Sequence, residues 1–158
     1  MPQNALNVLF VCHGNSTRSI MAEALLNRFG DGRFKAFSAG IRPDAELHPR
    51  TAEILRASGL TLANLKPKNL NEFTTPSAPR MDFVISMGID LAPALRGISG
   101  NPMRAQWGIS DPLSASDAGG ESLAFRRTFR ELENRIRLFV LLRHRGESAR
   151  PLEARRSA

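Results

Sequence analysis

Residues Asn7 to Val11 form a short β-branched and aromatic run, Asn-Val-Leu-Phe-Val, with no polar alternation. No other feature limits the fold as much. A strand with one wet face alternates apolar and polar side chains; a strand that does not alternate is covered on both faces, as in a parallel sheet packed between helices. The polar, glycine-containing stretch His13 to Thr17 follows at once. Ile20 to Phe29 then changes to helical periodicity, with Met21, Leu25 and Phe29 four residues apart as a core stripe and Gly30 placed as a stop. The order is strand, loop, helix.

The same alternation continues. Phe34 to Ser38 predicts a second strand, His48 to Ser58 a second helix ending at Gly59, and Asp82 to Met87 a third strand. Lys66 to Phe73 should hold a short helical turn, Thr74 to Pro79 a loop, Ile89 to Leu95 a weak helix, and Ala105 to Ile109 a last strand leading into Asp111-Pro112. From Glu121 to about Arg143, the residues Phe125, Phe129, Leu132, Ile136 and Phe139 recur every three or four positions, with Arg126, Arg127, Arg130 and Arg137 on the other face. The expected fold is α/β: an open four-stranded parallel sheet with helices on both faces. Its 158 residues suit one domain, expected over 1–145, with 146–158 a flexible basic tail in which Gly146 and Pro151 break up mixed Glu and Arg.

Composition removes several classes. With 42% hydrophobic and 23% charged residues the bulk of the chain should fold. The net charge of +7 suggests a nucleic-acid binder until its location is considered: from residue 119 onward ten arginines face five glutamates, so most of the excess lies in the last quarter. No aromatic side chain interleaves Arg143 to Ala158 to stack on bases, and the expectation is no nucleic-acid partner. The apolar runs at Val8 to Val11 and Leu138 to Leu142 fall far short of the roughly 20 residues that span a bilayer, and there is no leader-like pattern; a cytoplasmic chain without a membrane partner is expected. Metal-ligand spacing, a dinucleotide fingerprint and a Walker loop are all missing, so neither a metal nor a cofactor is expected.

The single cysteine opens the sequence Cys12-His13-Gly14-Asn15-Ser16-Thr17-Arg18-Ser19. A lone cysteine at a strand end is usually an inert core filler, and a Cys-to-Arg spacing of six proves little in an arginine-rich chain. The context reverses that reading. A buried strand delivers the cysteine, and a helix starts just after the arginine, so the N–H groups of residues 13 to 18 can converge on an anion while the helix dipole favours negative charge there. The same field favours a thiolate at Cys12. Arg18 can fork two hydrogen bonds onto a tetrahedral oxyanion, Gly14 and Asn15 tolerate left-handed backbone, Asn15 can tie the loop together, and Ser19 can donate to the thiolate. His13 contributes its backbone N–H and receives no catalytic role. Displacing an oxygen leaving group also calls for an acid at the same sheet edge. Asp111 is the candidate, although Asp-Pro is also a common turn; Asp44 and Asp117 are weaker alternatives.

These residues resemble the low-molecular-weight protein tyrosine phosphatases and the arsenate reductases built on the same fold. The likeness runs from Val8 to about Phe139 through Val8-Leu9-Phe10-Val11-Cys12, Gly14-Asn15, Arg18-Ser19, Met21-Ala22-Glu23, Ser38-Ala39-Gly40 and Asp111-Pro112. It implies Cys12 as nucleophile, Arg18 as oxyanion clamp, Asn15 and Ser19 as loop stabilisers, and Asp111 as general acid. Three departures matter. Thr17 stands where the phosphatases commonly carry a protective second cysteine. Leu113 and Ser114 stand where aromatic residues commonly frame a phosphotyrosine, and the chain contains no tyrosine. Trp107 to Pro112 is more similar to the reductase branch, yet Ser86 to Gly97 lacks the two cysteines of its thioredoxin-linked members. The expected partner is therefore a phosphate monoester, free or on a phosphoprotein. The alternative is arsenate reduction with an external thiol such as glutathione or mycothiol, or a redoxin, and a non-catalytic anion-binding module comes third.

Overall fold

The computed structural model describes residues 4–88, 92–114 and 118–148. Among them four strands, β1 (Leu6–Cys12), β2 (Phe34–Gly40), β3 (Met81–Met87) and β4 (Gly100–Trp107), form one parallel sheet in the order β2-β1-β3-β4. Three α-helices, α1 (Arg18–Phe29), α2 (Pro49–Ala57) and α3 (Ala118–Ser148), pack over one face. Short 3-10 helices at Leu70–Phe73 and Ala92–Leu95 cover the other.

The unalternating run in β1 is explained by this layering. Val8, Phe10 and Cys12 point toward Met21, Leu25, Leu55, Phe125, Leu132 and Ile136, while Leu9 and Val11 point toward Leu70, Phe73, Leu95 and Ile98. Val8 to Val11 are wholly inaccessible to solvent. Each large apolar side chain buried this way contributes roughly 1.5–3 kcal/mol, so β1 is the axis on which both cores form.

Sheet order also places the site. The chain leaves β1 for β2 on one side and later returns to β3 on the other, so the connections diverge beyond the carboxyl end of β1, and a crevice opens there. Cys12 is the last residue of that strand and pairs with Gly40 of β2.

Three elements depart from the sequence expectation. β4 begins at Gly100, five residues before the predicted Ala105, and ends at Trp107. It is an edge strand, mostly exposed, and contains Pro102, so it lacks the apolar signature of an interior strand. α3 starts at Ala118 and continues to Ser148, past both predicted ends. Within the weak helix predicted at Ile89 to Leu95, Ala92–Leu95 is a 3-10 helix and residues 89–91 lie outside the described residues, as do residues 149–158 of the expected tail.

Candidate active site

The loop after Cys12 is held by its carbonyl groups. His13 O accepts from Arg42 N at 3.0 Å, Gly14 O from Asp44 N at 2.9 Å, Ser16 O from His48 N at 3.3 Å and Thr51 Oγ1 at 2.9 Å, and Thr17 O from Met21 N at 3.0 Å. In a peptide plane the N–H points opposite to the C=O, so carbonyls engaged by the surrounding chain turn the amides to the other side, into the curve of the loop. Thr17 caps α1 without a side-chain hydrogen bond, which leaves the first-turn N–H groups of the helix to a ligand. Asn15 takes the left-handed conformation with φ 51°, as its residue type allows. Gly40 lets the loop lie against the end of β2: a Cβ there would stand 2.7 Å from His13 O and 3.0 Å from Asn15 N.

A buried hydrogen-bond chain reaches the sulfur. Cys12 Sγ and Ser19 Oγ are 2.8 Å apart, and Asn15 Nδ2 donates to the same Ser19 Oγ at 2.8 Å. The Asn15 amide takes one lone pair of the Ser19 oxygen, and the hydroxyl can give its proton to the sulfur or accept from it. Asn15 is itself fixed from outside, its Oδ1 accepting from Lys68 N at 2.8 Å. Cys12, Asn15 and Ser19 are 1%, 0% and 0% exposed, so no solvent competes for these bonds.

Arg18 closes the loop. Its Nη1 donates to Ile109 O at 3.0 Å, its Nη2 lies 3.6 Å from Asp111 Oδ2, and its Nε is buried with no hydrogen-bond partner among the described residues. An orphaned guanidinium donor beside an amide-lined curve is what an oxyanion would satisfy. Gly88, at φ 101°, makes room for this side chain; a Cβ there would sit 3.0 Å from Arg18 Nη1. Asp111 leads into the short 3-10 helix Pro112–Ser114 and does two things at once. Its Oδ1 accepts from Leu113 N at 3.0 Å, the Asx turn expected of Asp-Pro, while its Oδ2 faces Arg18.

The predicted residues Cys12 to Ser19 and Asp111 thus meet at one crevice, with the His13 side chain exposed at its rim. Asp117 lies outside the described residues. Asp44 is not beside Asp111 or Arg18 but braces the loop, accepting from Ser16 Oγ at 2.5 Å. Sequence reasoning missed three further braces. His48 caps α2 with its ring, accepting from Arg50 N at 3.2 Å, stacks on Phe125, and donates its backbone N–H to Ser16 O. Lys68 holds Asn15, and Glu23, on α1, sits beside Lys68 and Ser38. For Glu23 a signal existed: a helix apolar nearly all round, as α1 is from Ile20 to Leu26, is buried all round, and so is any carboxylate it carries. No group of His, Cys, Asp and Glu able to hold a metal ion occurs among the described residues, and none of their helices is long and apolar enough to cross a membrane.

The sequence profile of the family described as low molecular weight phosphotyrosine protein phosphatase matches residues 7–148. The chain belongs to that family. Among curated members and relatives, the arsenate reductase of Bacillus subtilis is 29% identical over 134 residues, covering 84% of this chain and 94% of its own. The low molecular weight protein-tyrosine-phosphatase YfkJ of the same organism is 33% identical over 103 residues, covering 60% and 64%. The solved structure of YfkJ superposes with a TM-score of 0.70 at 21% identity over 95% of this chain and all of YfkJ, a likeness of fold. The thioredoxin-dependent arsenate reductase of Corynebacterium glutamicum superposes with a TM-score of 0.64 at 27% identity over 90% of this chain, which spans 65% of that longer one. The family is enzymatic, and it holds phosphatases and arsenate reductases on one scaffold.

Proposed function

We propose that this family member is a cysteine-dependent phosphatase that hydrolyses a phosphate monoester through a phosphocysteine at Cys12. The reading is carried by one arrangement: the orphaned Nε of Arg18 beside the loop that starts at Cys12, with the Asp111 carboxylate 3.6 Å from the same guanidinium. The Cys12 thiolate attacks phosphorus in line with the leaving oxygen. The amides of residues 13 to 18 and Arg18 hold the three equatorial oxygens, and Asp111 gives its proton to the oxygen that departs. Asp111, now a carboxylate, takes a proton from water as that water attacks phosphorus and expels the Cys12 thiolate. Every group needed is in the chain, and no second thiol is consumed. The rim supplies the exposed His13 side chain and Leu113, 48% exposed, rather than a pair of rings, which favours phosphate monoesters broadly, free or on a phosphoprotein, over phosphotyrosine alone. A free nucleophilic thiol suits a reducing compartment such as the cytoplasm.

A second reading has the arsenate-reductase relatives in its favour. In it Cys12 displaces hydroxide from arsenate to form a sulfur–arsenic(V) adduct. An external thiol then attacks the Cys12 sulfur, the bonding pair passes to arsenic, arsenite departs, and a second thiol resolves the mixed disulfide. Because the sequence holds one cysteine, both reducing thiols must come from outside, from glutathione, mycothiol or a redoxin. One preparation assayed in parallel decides between them. Phosphate release from an aryl phosphate without added thiol is expected; arsenate-dependent oxidation of glutathione or mycothiol with no phosphatase turnover would replace the first reading with the second.

A further inference from the structure

The catalytic proposal makes no use of Glu23, yet this carboxylate is 7% exposed on α1 and directed into the protein. Ser38 Oγ donates to its Oε2 at 3.1 Å, and Lys68 Nζ lies 3.9 Å from its Oε1. Lys68 Nζ also donates to Lys66 O at 3.0 Å, so the ammonium ties its own segment to the helix. That segment is the one that touches the nucleophile loop. Lys68 O accepts from Gly40 N at 2.8 Å, Asn69 forms a bridge with Gly40, and Lys68 N donates to Asn15 Oδ1.

We propose that Glu23 and Lys68 are positioning residues for the nucleophile: their ion pair fixes residues 66–69 against α1 and β2, keeps the Lys68 N–H on Asn15, and through Asn15 and Ser19 keeps a donor on Cys12. The inference rests on the reading of Cys12 as nucleophile and holds for either of its two reactions. The chain of contacts is continuous from Glu23 Oε1 to Cys12 Sγ, and each step depends on the one before. Asn15 is left-handed and wholly buried, so its amide has no water to replace Lys68 N. If residues 66–69 relax, Asn15 Oδ1 loses its donor, the amide turns, and Ser19 is free to accept rather than donate. The carboxylate is also a poor source of stability. Burial raises the proton affinity of Glu23, and the nearby Lys68 ammonium and Ser38 hydroxyl only partly oppose that rise. A carboxylate that burial makes costly to ionise, and that is nevertheless wired to the site, fits a positioning role better than a stabilising one.

The test reads the site without presupposing phosphatase or reductase activity. Iodoacetamide alkylation of Cys12 at neutral pH and the Kd for inorganic phosphate are measured on the full chain, folded by circular dichroism. The panel is wild type, Glu23→Gln, Lys68→Met, Lys68→Arg and the Glu23→Gln/Lys68→Met double variant. Glu23→Gln and Lys68→Met should each slow alkylation and weaken phosphate binding by about three- to tenfold, and the double variant should be no worse than the worse single. Lys68→Arg, which keeps the charge, should stay near wild type. If Glu23→Gln does not fold, the Met and Arg variants of Lys68 decide alone. Unchanged alkylation and phosphate affinity in the folded single variants, or fully additive losses, overturn the inference. A wild-type Cys12 that alkylates slowly and is not protected by phosphate overturns the nucleophile reading itself, and this inference with it.

Discussion

Asn15→Asp replaces one atom group in the loop and leaves its shape alone, which isolates the direction of the hydrogen bond on Cys12. Aspartate tolerates the left-handed φ of 51°, and its Oδ1 can still accept from Lys68 N. What changes is the contact to Ser19. An ionised carboxylate oxygen at the place of Nδ2 cannot donate, so the Ser19 hydroxyl turns its proton toward it and presents a lone pair to the sulfur 2.8 Å away. A hydrogen bond to a charged group is worth ~1.5–3 kcal/mol, so the thiolate should be disfavoured by a factor of roughly 10 to 150. The added negative charge beside the anion site acts in the same direction and weakens phosphate binding as well.

The assay is the rate of Cys12 alkylation by iodoacetamide, with kcat/KM on an aryl phosphate measured alongside. Both should fall by one to two orders of magnitude at neutral pH. The ratio of variant to wild type should recover as the pH falls, because a protonated carboxyl can donate to Ser19 as the amide does. Alkylation within about twofold of wild type at neutral pH, with phosphate affinity unchanged, would refute the donor-direction argument.

Gly88→Ala should cost about 1–2 kcal/mol of stability for a side chain at φ 101°, and the new Cβ, 3.0 Å from Arg18 Nη1, should displace the guanidinium; kcat/KM should drop more than Cys12 alkylation does, and equal losses would count against Arg18 as the oxyanion clamp. Asp111→Asn should slow phenyl phosphate hydrolysis by roughly 10²- to 10⁴-fold while sparing more of the phosphocysteine-forming step with nitrophenyl phosphate, whose leaving group needs a proton less; a uniform loss with a large fall in Tm would leave Asp111 only its Asx turn. Since burial raises the proton affinity of Glu23 in the fold, its contribution to stability is present below its unfolded value and is lost as pH rises through the folded one. The Tm of Glu23→Gln should therefore gain on wild type from acid to neutral pH, and a difference that shrinks over that range would contradict the assignment.

How much of this was legible depends on whether the signal is local. The strand, loop and helix from Leu6 to Phe29 could be read because β1 is buried on both faces and the change of period from strand to helix falls within a few residues. β4 was misplaced because an exposed edge strand carrying Pro102, with Met103 64% exposed, has no apolar pattern to read. Cys12, Arg18 and Asp111 were identifiable by residue type and position beside strand ends, and their meeting follows from sheet order. The braces were not legible. Asp44 reaches Ser16 across 28 residues and Lys68 reaches Asn15 across 53, and neither residue stands in a pattern that distinguishes it from an ordinary loop side chain.

This distribution of contacts is what binding an anion with backbone would require. Amides aimed into a curve require carbonyls aimed out of it, and those carbonyls need partners that the loop cannot supply to itself. Arg42, Asp44 and His48 supply them from the chain between β2 and α2 and Thr51 from the first turn of α2, while Ser19 spends its side chain on the sulfur and Asn15 spends its own on Ser19 and Lys68 N. Few side chains of the loop then remain to read the substrate beyond its phosphate. In the phosphatase reading, recognition of the leaving group would fall to the rim, where His13 and Leu113 are exposed and Asp111 would supply the proton. A site built this way should rank phosphate monoesters by how readily the leaving oxygen departs more than by the shape of the group it carries.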